Sequence, residues 1–267
     1  MSDLVKNFIV LIASIIVVHL IYMGYVRPEA NLLLEMASAA GQSAPRDLVV
    51  ILKDIEQEIC FVLMLWGVYL IASKSLAILN DKHVFSVDLI AEASDAPEDI
   101  VSNPEKIIRR LDEELLQGQA RPTPLIRMLH AVLQRYAAMQ GLQSFNVQNL
   151  SDAIESGIEA LDRRQEAENS MIRYLIWAIP SIGFIGTVRG IGQALSLADE
   201  ALAGNIAGMT DSLGVAFNST LVALLISILL MFLFHQLQRL QDGQVVDTRA
   251  YFDKYLLAPV SRSLSKF

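Results

Sequence analysis

The 267-residue sequence has one cysteine, Cys60, which excludes an intrachain disulfide framework and a cysteine-rich metal site. Charge is scarce too. Asp, Glu, Lys and Arg supply 19% of residues, with 21 basic against 29 acidic side chains and a formal net charge of −8. A disordered chain and a basic nucleic-acid binder both need more charge and less apolar content, so both are excluded. The histidines His19, His83, His130 and His235 are scattered and do not suggest a metal cluster. There is no Walker-type phosphate loop, no His-Glu-x-x-His pair and no Gly-x-Ser-x-Gly elbow. No cofactor and no catalytic constellation is expected, and the chain does not read as an enzyme. The excess lies in apolar residues, 53% of the total with a mean hydropathy of +0.42. Their uneven distribution points to a bilayer rather than to one large soluble core.

A membrane-spanning helix needs roughly 20 mostly apolar residues, each adding about 1.5 Å across a hydrocarbon core of about 30 Å. Four stretches qualify: Phe8 to Val26, Ile59 to Leu79, Met171 to Leu195, and Leu213 to Phe234. The first contains a single ionisable residue, His19; Lys74 can snorkel from the end of the second. The first run exceeds a secretory h-region, and Arg27, Pro28 and Glu29 follow where small cleavage-site residues should lie, so it reads as an anchor. One side of the membrane would carry Lys6, Lys74, Lys82, Arg163, Arg164, Arg173, Arg239 and Arg249, and the other Arg27, Arg46 and Lys53. The side rich in Lys and Arg is the cytoplasmic one, which places both termini and the long middle segment there.

The expected fold is an all-α integral membrane protein with four transmembrane helices and a helical cytoplasmic domain. Residues 1–79 hold the first two spans with a short outer, periplasmic segment at 27–58, where Ala37 to Pro45 reads as a turn. Residues 80–170 form the cytoplasmic helical domain, 171–240 the last two spans, and 241–267 a cytoplasmic C-terminal helix. Within the middle domain, Ile107, Ile108, Leu111, Leu115 and Leu116 recur at helical spacing. So do Leu125, Met128, Leu129, Val132, Leu133 and Tyr136, and later Ile154, Ile158 and Leu161. His19 reads either as part of a proton path or as a structural residue against a neighbouring helix, and the second reading is favoured. The charges from Glu105 to Glu114 read as a solvated helix side, the usual meaning of such runs. As a force-transmitting face, its candidates would be Arg109, Arg110, Glu113 and Glu114.

The third and fourth spans carry residues that lipid contact does not require. At 100° per residue, Pro180, Gly183, Thr187, Gly190 and Ala194 share one narrow face, with Arg189 on the opposite side. On the fourth span, Ser212, Ala216, Ser219, Thr220, Ala223 and Ser227 share a face. Phe217, Leu221, Leu224, Leu225 and Ile228 form a separate apolar flank. Small-residue stripes are a common packing seam, with threonines bonded to carbonyls one turn back; spacing alone favours this reading. The competing reading has Thr187 and Thr220 offering hydroxyls to an ion or to another subunit's acid. Both can hold.

The run Pro180-Ser-Ile-Gly183-Phe-Ile-Gly186-Thr187-Val188-Arg189-Gly190-Ile191 resembles the pore helix of the MotA/TolQ/ExbB family of ion-driven motor subunits. Leu213-Gly-Val-Ala-Phe-Asn-Ser-Thr220-Leu resembles that family's last helix. The resemblance implies a homopentamer in the bacterial inner membrane, surrounding two copies of a MotB/ExbD/TolR-like single-span partner. The partner's membrane aspartate would take up and release a proton or sodium ion, and the flow would drive rotation. Thr187 and Thr220 would face that aspartate and Pro180 the ion's exit route, with Gly183, Gly190, Ala216, Ser219 and Ala223 lining the same ion-pathway and partner-facing wall. Four spans look like the flagellar MotA branch, whereas the Gly-Thr-Val-x-Gly core looks like the three-span TolQ/ExbB branch. Arg189 stands where that second pattern commonly has tryptophan; it is expected to snorkel or to pair with an acid such as Asp199 or Glu200. The alternative function is a structural membrane scaffold whose cytoplasmic helices bind a partner. A solute carrier fits less well, for want of paired halves.

Overall fold

The computed structural model describes residues 3–40, 45–94, 104–116, 123–140 and 147–264. Every regular element among them is helical, and four helical stretches are long and apolar enough to cross a membrane: Leu4–Ala39, Ile55–Ser86, Val147–Ser196 and Ala207–Arg262. The chain divides into two compact units, Met1–Lys74 with Ser170–Leu237, and Ser75–Asn169 with Gln238–Phe267.

The first unit begins with α1 (Asp3–Ile21), which continues through a widened π-type turn at Tyr22–Val26 into α2 (Arg27–Ala39). Pro28 accounts for the wide turn, because it cannot donate to the preceding turn and its ring crowds the carbonyl four residues back. A short α3 (Leu48–Ile51) starts at Asp47, whose carboxylate accepts from the Leu48 backbone N–H at 3.0 Å. Then come α4 (Ile55–Asp81), α9 (Ser170–Ser196), a one-turn α10 (Ala198–Leu202) and the 46-residue α11 (Ala207–Phe252). The reversal before α11 uses Gly204 at φ +99°, a conformation that side-chain-bearing residues rarely adopt.

Burial in this unit is inverted relative to a soluble protein. Trp177, Phe184, Phe217 and Ile228 project outward, whereas Ser14, Gln57, Ser219 and Ser227 are inside. An apolar exterior of this extent suits lipid or neighbouring subunits and not water. The Trp66 indole N–H ties α4 to α1 by donating to the Asn7 carbonyl at 3.1 Å, and the Cys60 thiol lies 3.8 Å from the Ile179 carbonyl of α9.

The second unit has an ordinary apolar core. It is built from α5 (Leu89–Ala93), α6 (Pro104–Arg110) with a widened extension to Leu116, α7 (Pro124–Gln140), α8 (Val147–Glu168), the last turns of α11, and α12 (Ala258–Leu264). Ile107, Leu111, Leu125, Leu129, Leu133, Tyr136, Ile154 and Ile158 are all buried, as their spacing requires. Tyr251, Phe252, Leu256 and Val260 from the C-terminal stretch join the same core, and the Tyr251 hydroxyl accepts from the Leu89 N–H at 3.0 Å. Buried amides link α8 to α11: Gln165 donates to Gln244 at 2.8 Å and Asn169 to Gln241 at 2.7 Å.

Candidate functional site

The site is built where α9 and α11 come together. A Cβ on Gly183 would stand 2.5 Å from the Ala223 methyl, one on Gly186 2.5 Å from Ser219 Cβ, and one on Gly190 2.6 Å from the Ala216 backbone nitrogen. These are approaches that a side chain would forbid, so the three glycines let the helix backbones nearly touch. Ala216, Ser219 and Ala223 are fully buried in this seam. Gly183, Gly190, Ala216, Ser219 and Ala223 are thus occupied by contacts within the chain.

Thr187 and Thr220 sit half-buried at the edge of the seam, and their hydroxyls are hydrogen-bonded to each other. The nearest carbonyl to the Thr187 hydroxyl is that of Ala216, at 2.9 Å; the Gly183 carbonyl is 3.4 Å from both hydroxyls. With Thr187 donating to Ala216, Thr220 donates to Thr187. Both hydroxyl protons are then committed inward, and the free oxygen lone pairs suit a cation or a protonated carboxyl rather than an anion.

Pro180, two turns before Thr187, lies inside α9 without breaking it. Its missing N–H leaves the Ile176 carbonyl without a helical donor, and the Ser227 hydroxyl of α11 supplies one at 2.9 Å. The proline and the serine, both visible in the sequence, form one device across the two helices.

A set of ion pairs flanks the seam, contributed by residues that sequence reasoning passed over. α4 begins at Ile55, earlier than the apolar run suggests, and its first turn buries Glu56, Gln57 and Glu58. Arg189 makes a two-pronged bond to Glu56, at 2.7 and 2.8 Å, and lies 3.5 Å from Asp54. Arg189 does pair with an acid, but with Glu56 and not with Asp199 or Glu200: a buried carboxylate on α4 is a better partner than an exposed one on α10. Gln57 donates to the Ile51 carbonyl at 3.1 Å and lies 3.4 Å from the Ser219 hydroxyl. Glu58 joins Arg27 at 2.5 Å and His19 Nδ1 at 2.7 Å, so His19 faces a neighbouring helix through a polar contact. The available signal was a Glu-Gln-Glu triplet abutting an apolar run, since acids beside a span need partners.

The charged face of the second unit is arranged differently. Arg109 and Glu113 are exposed, Arg110 donates to the Ala93 carbonyl at 3.4 Å, and Asp112 pairs with His130 at 3.0 Å. The side chains of Glu114, Leu115 and Leu116 lie outside the described ones. Among the described residues, no group of His, Cys, Asp or Glu side chains is placed to hold a metal ion.

No curated protein and no solved structure matches the chain significantly. Residues 120–250, which include α8, α9 and nearly all of α11 with both threonines, match a family of membrane channel proteins. The glycine-closed helix pair and the hydroxyls at its edge lie inside that match, and the family matched is the MotA/TolQ/ExbB proton channel family.

Proposed function

We propose that this chain is the ion-conducting subunit of a membrane motor. It would assemble as a homopentamer around two copies of a MotB/ExbD/TolR-like subunit, whose single span brings an aspartate to the level of Thr187 and Thr220. The two hydroxyls would accept the ion or the protonated carboxyl, and Pro180 would flank the exit route. Gly183, Gly190, Ala216, Ser219 and Ala223 would hold the wall's geometry behind them. The complex would lie in the bacterial inner membrane with both termini cytoplasmic, passing force outward through the helical domain by way of Arg109, Arg110, Glu113 and Glu114.

The observation that carries this reading is the hydroxyl pair, whose protons are directed inward while its oxygens stay at the seam's edge. The energetics are of the right size. One charge crossing 100 mV releases about 2.3 kcal/mol. A hydrogen bond to a charged group contributes about 1.5–3 kcal/mol, enough to hold an ion briefly without trapping it. The test is co-purification with a single-span, aspartate-bearing partner, followed by ion flux through the reconstituted complex. Thr187→Ala with Thr220→Ala should lower coupled flux at least about ten-fold, the equivalent of one such bond; unchanged flux would overturn the assignment. The alternative is a scaffold, which a glycine-closed seam would equally serve. It predicts stable assembly with a partner and no ion-titratable activity.

A further inference from the structure

The first unit contains a cleft of about 660 Å³ that the hydroxyl pair does not explain. Arg46, Lys53 and Asp54 line it from the segment before α4, and Thr210, Asp211 and Asn218 from α11. Residues 45–54 and 203–206 lie at the same membrane face, because each precedes the start of a span that follows an outward-running one. The cleft opens from that face. It follows α11 from Thr210 to Leu221, about 16 Å at 1.5 Å per residue, and so passes the depth of Thr220. Its volume is on the order of 40 times the 10–15 Å³ that one water requires, and these six side chains offer water polar partners within a lining that is otherwise apolar.

The charged residues lining the cleft balance in number, Arg46 and Lys53 against Asp54 and Asp211. Lys53 is paired with Asp211 at 3.5 Å, and Arg46 is exposed at the rim. Nearby, Arg189 is bonded by both prongs to Glu56 and lies 3.5 Å from Asp54 Oδ1, so Asp54 is held less closely than Glu56. One Asp54 oxygen, Oδ2, is buried without a hydrogen-bond partner. Behind it, the buried Gln57 has a partnerless Oε1, and its amide nitrogen lies within 3.4 Å of the Ser219 hydroxyl in the helix seam. Orphaned buried acceptors are costly, and two in succession between a wet cleft and the seam call for a positive ligand or water. Burial also pushes the Asp54 carboxyl upward from the ordinary carboxylate value, against the opposing pull of Lys53 and Arg189 and with the help of Glu56.

We propose that this cleft is the water-filled vestibule through which a monovalent cation enters from the face bearing residues 45–54, and that Asp54 is the carboxylate that first receives it. The proposal rests on the ion-conducting reading above and adds the entry route and its selecting residue.

The test uses the full chain with its partner in spheroplasts and in inverted vesicles. Asn218→Cys is exposed to membrane-impermeant thiosulfonate reagents of either charge, with native Cys60, fully buried, as the baseline. Modification from the face bearing residues 45–54, about ten-fold faster with the cationic reagent, is expected, and Asp54→Asn should remove the preference. Thr210→Cys at the mouth gives the same readout if Asn218→Cys does not fold. No modification, or modification from the opposite face alone, overturns the vestibule; equal rates, or a preference unchanged in Asp54→Asn, overturn the role of Asp54. These rates do not depend on ion flux. A reactive, cation-selective cleft in a complex without flux would therefore retain the vestibule and reject the motor, while lost reactivity with intact flux would do the reverse.

Discussion

Replacing Gly190 by alanine should loosen the helix pair on which the site rests, by an amount the geometry sets. The new Cβ would lie 2.6 Å from the Ala216 nitrogen and 2.7 Å from the Ser212 carbonyl oxygen, where ordinary contact begins at 3.4 Å. Both obstacles are backbone atoms, so the helices must separate by about 0.8 Å locally, one turn from Thr187. Overpacking costs typically about 1–3 kcal/mol, and a rigid backbone obstacle belongs in the upper half of that range. Removing a glycine from a helix interior returns up to about 1 kcal/mol. The net loss is therefore about 1–2 kcal/mol. Gly192, two residues along the same helix, has nothing within 4 Å of its Cβ position, so Gly192→Ala should gain the propensity term alone. The two variants should differ by about 2–3 kcal/mol in denaturant unfolding of the protein in detergent micelles or nanodiscs, read as a shift in midpoint at constant slope. Equal stability of Gly190→Ala and Gly192→Ala would refute the close-packed seam.

Ser227→Ala should strand the Ile176 carbonyl and cost about 0.6–1.7 kcal/mol, from the average to the maximum found for hydrogen bonds between membrane helices. In a Pro180→Ala background the new N–H fills that carbonyl, so the serine should become nearly dispensable; a double-mutant cycle with no coupling would reject the pairing. Arg189→Ala leaves the buried Glu56 carboxylate uncompensated, at about 1–3 kcal/mol after allowing for the solvent exposure of the arginine. Arg189→Lys should recover only part of the loss because it cannot grip both oxygens, a comparison the same unfolding assay makes. In the second unit, Gln244→Leu should cost about 1–3 kcal/mol by orphaning the Gln165 amide, whereas Gln165→Leu with Gln244→Leu should be far milder; equal losses would show that the amide pair is not an isolated unit.

Much of the membrane architecture follows from composition. A 20-residue apolar run has few alternatives to a spanning helix, because every backbone polar group must be satisfied within the segment. The apolar periodicity of residues 107–111, 125–136 and 154–158 likewise marks the buried face of the second unit, since a 3.6-residue repeat admits one inward stripe. The small-residue faces of α9 and α11 were equally visible in the sequence. Their mutual contact was not, because periodicity gives the direction of a face and says nothing about what it meets.

The sequence by itself determined the helices, the candidate spans, the threonines at coherent positions and a pattern shared with a channel family. These depend on local hydrophobicity and on short-range spacing, which a linear reading captures. Only the tertiary structure decided that the three glycines bring α9 against α11, that Ser227 answers the carbonyl freed by Pro180, and that Arg189 bonds Glu56, 133 residues away. A buried charge or an unpaired carbonyl demands a partner, but only the packing of distant segments decides which group comes within reach.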